Sequence, residues 1–352
     1  MPLRIEPRLV ASPAMAAMVP PLAVVATIVA SGLLFALLGY PVGRTLYAFY
    51  AQPLTTMNGW SELALKAAPL AMMAAALAAG FQANVWNIGA EGQLTLGAIA
   101  GGGVALAMPE AQGIWVLPLV CLAGVLGGMA WAAIPALLRT RLGVNEILTT
   151  LMLTYVATLL LAALVFGPWK DPQGYSLPQS PLFSDAATLR PLIARTRLTA
   201  GTLLEFCAPV AIWFALRHAL IGFKIRSSGA APAAAAYAGF TRASVVWTVL
   251  LLSGGCAGLA GVLEVTGPIG QLIPQITPGY GFTAIIVAFL GRLHPLWIIP
   301  AALLVALSYI GGDTAQVSSG LPKGAAGVVQ GLLLFFPLAA DFLVRHRVRR
   351  VA

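Results

Sequence analysis

About ten apolar runs, each close to the length that crosses a bilayer, constrain this chain more than any motif in it. They lie near 18–39, 62–82, 88–108, 114–138, 145–167, 200–217, 244–264, 280–292, 295–311 and 325–344. Lipid offers a backbone no hydrogen bonds, so a spanning segment must be a helix of roughly 20 residues or a strand of a closed barrel. Of the 352 residues, 59% are hydrophobic and 9% charged. A soluble domain carries roughly 25% charged residues. The expected fold is therefore all-α, a polytopic integral membrane helical bundle of about ten spans. The runs at 88–108 and 280–292 are the least regular and suit broken helices, and two groups of four spans allow an inverted repeat.

Charge sets the expected orientation. Arg139, Arg141, the stretch from Arg217 to Arg242, Arg292 and the terminal RHRVRR fall on one side if every run crosses. The positive-inside rule makes that side cytoplasmic and places both termini there. The exception is the outer loop 168–199, with Lys170, Arg190, Arg195 and Arg197. One transmembrane domain, 1–352, is expected, with a cytoplasmic tail at 1–17, a cytoplasmic loop at 218–243 and a basic tail at 345–352. The net charge of +9 sits at helix ends. With no basic stripe carrying interleaved aromatics, it argues against nucleic acid as a partner.

Several chemistries find no support. No phosphate-binding glycine loop, H-E-x-x-H or G-x-S-x-G occurs. Cys121, Cys207 and Cys256 have no metal-ligand spacing and are expected to be buried. No cofactor or metal is expected, and no catalytic residue. Gly97/Gly101, Gly124/Gly128, Gly254/Gly258 and Gly327/Gly331 repeat at four-residue spacing, which suits close helix packing.

Four segments are too polar or too patterned for plain spans. In NVWNIGAEGQLTLGAIAGGG, residues 84–103, Asn87, Glu91 and Thr95 would share a helical face. Such a face could line a solute path, or Asn87 could cap the helix with Glu91 in its first turn. In GVNEILTTLMLTYVA, residues 143–157, Asn145 offers the same choice. In IRSSGAAPAAAAYAGFTRASV, residues 225–245, Gly229 and Pro232 mark a helix start and Gly239 its end. A short helix with Ala235, Tyr237 and Ala238, followed by Arg242, would dock a partner or rest on the membrane. In GQLIPQITPGYGFTAIIVAFLGRLHPL, residues 270–296, prolines and glycines forbid a regular helix through the outer half. Gln275, Tyr280, Phe282 and Thr283 could line a cavity for a planar heterocycle or sugar, or form an outer loop.

Together these segments resemble the permease subunits of bacterial ABC importers, within the branched-chain-amino-acid/ribose-type permease superfamily. The branch for nucleosides and simple sugars fits best, and the long N-terminal region with RIEPRL looks like its guanosine-type nucleoside permeases. The resemblance covers nearly the whole chain, and NIGAEGQ with GYGFTAI is specific. It implies a bacterial inner-membrane subunit without enzymatic activity. ABC ATPase subunits would bind ATP and grip the loop helix. A second, non-identical permease would complete the pore, and an extracytoplasmic substrate-binding lipoprotein would deliver solute. The loop helix of such permeases reads G-x-N-P-x-A-A-R/K-Y-A-G. Here Ala231 and Ala236 replace the asparagine and the basic residue, while Pro232, Tyr237, Ala238 and Gly239 keep the frame. An ion-coupled carrier working alone and a membrane-embedded enzyme remain as alternatives.

Overall fold

The structure is a computed structural model, and it describes residues 3–7, 13–174 and 177–350. Helices dominate: α1 (Pro13–Leu37), α2 (Val42–Leu46), α3 (Met57–Gln82), α4 (Ala90–Ala107), α5 (Val116–Leu142), α6 (Glu146–Phe166) and α7 (Ala200–His218). They continue with α8 (Leu220–Ala230), α9 (Pro232–Tyr237), α10 (Arg242–Glu264), α11 (Tyr280–Leu290), α12 (Pro295–Ser319) and α13 (Lys323–Arg345). One feature departs from an all-helical chain. Strand β1 (Leu3–Pro7) pairs antiparallel with β2 (His346–Arg350), Leu3 opposite Arg350. The alternation Leu3-Arg4-Ile5-Glu6 is a strand signal, but it is only four residues long and names no partner.

Among the described residues six helices are long and apolar enough to cross a membrane: α3, α5, α6, α7, α10 with its π-helical extension to Ile269, and α12. Residues 22–37 of α1 and all of α11 are apolar but shorter. The chain is an integral membrane protein of helical architecture, and the expected count of about ten is not reached by these lengths.

The chain divides into two compact units, Met1–Leu63 with Leu303–Ala352, and Ala64–Ala302. In the first, Phe35, Phe49, Leu321 and Val329 form a buried cluster that joins α1 to α13. Ser31 Oγ and Tyr50 Oη lie 3.0 Å apart within it.

The second unit is built on a glycine seam shared by α4, α5 and α10. A Cβ at Gly97 would strike the backbone of Gly258, and one at Gly128 would strike Gly254. Dispersion between closely approached backbones drives such packing in lipid, where apolar burial supplies no force between helices. Three of the four expected glycine pairs take part. Nothing lies within 4 Å of a Cβ built at Gly327 or Gly331, so that pair makes no close approach among the described residues. The run at 88–108 is also more regular than expected, giving an unbroken 18-residue α4. Of the cysteines, Cys207 is exposed and the other two are half-buried.

Within the second unit, loop 168–199 is tied by backbone hydrogen bonds to the end of α10 and the segment after it. Ser180 N donates to Leu272 O at 2.9 Å, Phe183 N to Gly270 O at 3.0 Å and Leu189 N to Thr266 O at 2.8 Å. Pro274, Pro278 and Gly279 do prevent a helix there, as their ring geometry and a φ of +96° at Gly279 require. Helix α11 begins only at Tyr280, and its 11 residues rise about 16 Å, roughly half of the hydrocarbon thickness.

Candidate functional site

Two helix starts meet at Glu91. It occupies the first turn of α4 and is 9% exposed. Its Oε1 accepts from Thr277 Oγ1 at 2.5 Å, and its Oε2 accepts from Gly281 N at 2.6 Å. Gly281 lies in the first turn of α11, where backbone N–H groups have no partner inside the helix. The carboxylate therefore satisfies an orphan donor and sits at the positive end of that helix dipole. Glu91 lies in the first turn of α4, as the capping reading expected, but Asn87 does not cap that helix, and the acid also caps a second helix, 190 residues away in sequence. A Cβ at Gly281 would collide with the Glu91 backbone, so the contact needs glycine.

Asn87 precedes α4 instead of lying on it, in the extended segment between α3 and α4. The face expected from Asn87, Glu91 and Thr95 therefore loses its first member. Buried Asn87 donates through Nδ2 to Gln93 Oε1 and Ser253 Oγ, each at 2.8 Å. Its Oδ1 accepts from Gly89 N at 3.0 Å, a local turn bond that fixes the approach to α4. Thr95 Oγ1 donates back to Glu91 O at 2.9 Å.

Asn145 takes the capping role. Its Oδ1 accepts from Ile147 N at 2.9 Å at the start of α6. The adjacent Glu146 is buried and pairs with Arg139 of α5. Glu146 Oε1 also accepts from Trp86 N at 3.2 Å, and Ile88 N donates to Thr150 Oγ1 at 3.2 Å. Segment 83–89 is thus held to α6 by side chains, since an extended strand has no ladder of its own here.

The 270–296 residues separate. Tyr280 and Thr283 are buried, and Lys66 Nζ donates to Tyr280 Oη at 3.3 Å. Gln275 and Phe282 are exposed. Glu91, Thr277, Gly281 and Tyr280 with Lys66 form one polar junction; Asn145 and Gln275 lie outside its hydrogen bonds. Sequence reasoning missed Thr277, Lys66 and Ser253. A threonine beside Pro278 and a lysine in an apolar run were the available signals.

The second feature is the loop helix. Pro232 stands at the first position of α9, where its missing N–H costs nothing. At the other end Gly239 N donates to Ala236 O at 3.0 Å and Phe240 N to Ala235 O at 2.9 Å, with Gly239 at φ +85°. This is a Schellman termination, and only a residue free to adopt that φ completes it without strain. Gly229 does not start α9. It lies in the last turn of α8, where a Cβ would meet the backbone of Gln82, and its carbonyl accepts from Asn84 Nδ2 at 2.9 Å. Ala235 is 4% exposed and roots α9, whereas Tyr237 is 98% exposed. Ala238, Gly239 and Arg242 are exposed as well. A short capped helix thus stands clear of the unit's surface, tied through Asn84 to the segment that leads to Glu91.

Residues 59–338 match the sequence profile of the branched-chain amino acid transport system permease component. The chain is 35% identical to a glucose ABC transporter permease protein of Haloferax volcanii, across 98% of this chain and 93% of that one. It is 28% identical to a guanosine ABC transporter permease protein of Bacillus subtilis, across 93% and 94%. A nucleoside ABC transporter permease protein of Lactococcus lactis subsp. cremoris is 28% identical, across 78% of each chain. The chain belongs to this permease family, and it is the membrane-embedded transport subunit of an ABC transporter.

Proposed function

We propose that the chain forms part of the translocation path of an ATP-driven importer for nucleosides or related small polar solutes. In this reading a separate ABC ATPase hydrolyses ATP, a second, non-identical permease completes the pore and a substrate-binding lipoprotein delivers solute. The single observation that carries the reading is α9: a capped helix with Tyr237 98% exposed and Ala235 4% exposed. An aromatic standing in water on a rigid crest is what a partner's groove engages. Loop 218–243 is then the coupling loop to the ATPase, with Gly229 and Arg242 at its borders.

The inner membrane is the proposed location, with segments 1–17 and 345–352 on the cytoplasmic side. The pairing of Leu3–Pro7 with His346–Arg350 supports placing both ends together, and so does the excess of arginine at 139–141 and 217–242. The bundle would cross about ten times, with α1, α4, α11 and α13 completing the six long spans. Asn87, Glu91, Thr95, Tyr280 and Thr283 would flank the solute path as its structural frame. Exposed Phe282 and Gln275 are the members of that set available to stack on a base or bond a sugar hydroxyl.

A sugar is the second reading, favoured by the 35% identity to a glucose permease. Uptake separates the two in proteoliposomes holding both permeases, the ATPase and the binding protein. Labelled guanosine should accumulate with ATP inside and ignore ionophores. Accumulation of glucose alone would favour the sugar. Uptake abolished by ionophores without any need for ATP would replace the importer with an ion-coupled carrier.

A further inference from the structure

A cavity of about 610 Å³ opens at the end of the second unit where α5 stops and α6 and α10 begin. Its polar lining is Arg139, Arg242, Asn145, Glu146, Thr140 and Asn84. Two arginines and one glutamate line it, and that carboxylate is already taken by Arg139 and by Trp86 N. Among the described residues no hydrogen bond or ion pair reaches Arg242. Its charge lies close enough to Arg139 for the two to oppose each other. The first turn of α6 brings the positive end of its dipole to the same wall. A cavity with surplus positive charge, a free guanidinium and a helix start suits an anion with several acceptor oxygens.

The rim says where that anion comes from. Val144 and Ile147 line the cavity and are exposed. From there Leu148, Met152, Tyr155 and Leu159 are exposed along α6 at helical spacing. A charged recess thus continues into an apolar face, and the occupant must carry a phosphate on one end and hydrocarbon on the other. We infer that this cavity is a binding site for the phosphate of an anionic phospholipid, held by Arg242 and Arg139 with its acyl chains along α6. The reading rests on the cytoplasmic placement of Arg139 and Arg242 proposed above, which puts the recess at headgroup depth. It goes beyond the importer reading, because it assigns a ligand to the permease by itself. Asn84 lines the cavity and also bonds Gly229 beside α9, so an occupant here would brace the base of the loop helix.

The test uses delipidated full-length permease in neutral detergent, with phosphatidylglycerol, phosphatidylcholine or inorganic phosphate added, read as bound lipid by native mass spectrometry and as the shift in unfolding temperature. Phosphatidylglycerol is expected to bind and stabilise, and phosphatidylcholine to do neither. Arg242→Gln should weaken phosphatidylglycerol roughly fivefold to tenfold. Arg217→Gln removes the same charge from the stacked position over Trp213 and should leave binding unchanged. Arg242 is exposed in the first turn of α10, so the variant is expected to fold, and its unfolding temperature without lipid checks this. Equal binding of both lipids, equal losses in both variants, or stabilisation by inorganic phosphate matching that by phosphatidylglycerol would each overturn the inference. ATPase capture is read separately on α9, so failure here leaves the importer reading standing.

Discussion

Glu91 is the residue whose role the fold most changes. It sits in the first turn of α4, as one expected reading had it, and it also clasps α4 to α11. Glu91→Ala would leave Gly281 N and Thr277 Oγ1 buried without an acceptor. That should lower stability by about 3 kcal/mol, read as a lower unfolding temperature of the purified protein. Glu91→Gln keeps an acceptor oxygen and should lose less than half as much. Equal losses would mean that charge, not acceptor geometry, makes the clasp. The Arg139–Glu146 pair behaves differently. Removing Arg139 strands the buried Glu146 carboxylate, at about 3–5 kcal/mol, removing Glu146 leaves a half-buried guanidinium at the cavity and should cost less, and removing both should cost less than the sum. A double-mutant cycle with Arg139→Met and Glu146→Leu reads this, and additive losses would contradict it. At this scale little was legible. Asn145 and Pro232 were, because a cap acts within three residues. The partners of Glu91 were not, because sequence records no contact across 186 residues.

Elements were more legible than residues. The break before α11 follows from Pro274, Pro278 and Gly279, and the end of α9 from Gly239, because these residues act through their own backbones. Close approach is another matter. Gly254/Gly258 and Gly327/Gly331 have the same spacing in sequence, yet only the first pair meets a neighbouring backbone. Small residues permit contact; the arrangement of helices decides which face is used. Gly229 misled for the same reason, reading as part of a helix start when its lack of a Cβ lets α8 touch Gln82. Two substitutions separate the classes. Gly258→Val forces a side chain into the α5 backbone and should abolish a monodisperse preparation, a loss of several kcal/mol. Gly327→Val meets open space and should leave the elution profile of the isolated chain unchanged. Aggregation of both variants would show that the open face of α13 is covered.

For the whole molecule, hydropathy settled the solvent and the class: nothing but a membrane bundle buries a chain that is 59% hydrophobic. It could not count spans, because α11 has only 11 residues and the 18-residue α4 is diluted by Glu91, Gln93 and glycines. The ribbon between Leu3–Pro7 and His346–Arg350 was missed because the alternation at Leu3-Arg4-Ile5-Glu6 is short and nothing local names its partner. What gives the molecule its purpose in this account is that force arrives from outside the bundle, through α9. Co-purification of the cognate ATPase with tagged permease measures this directly, with Tyr237→Asp compared against the native chain. The account predicts that Tyr237→Asp keeps its elution profile and unfolding temperature while captured ATPase falls below about one tenth. ATPase recovered at the native yield would contradict it.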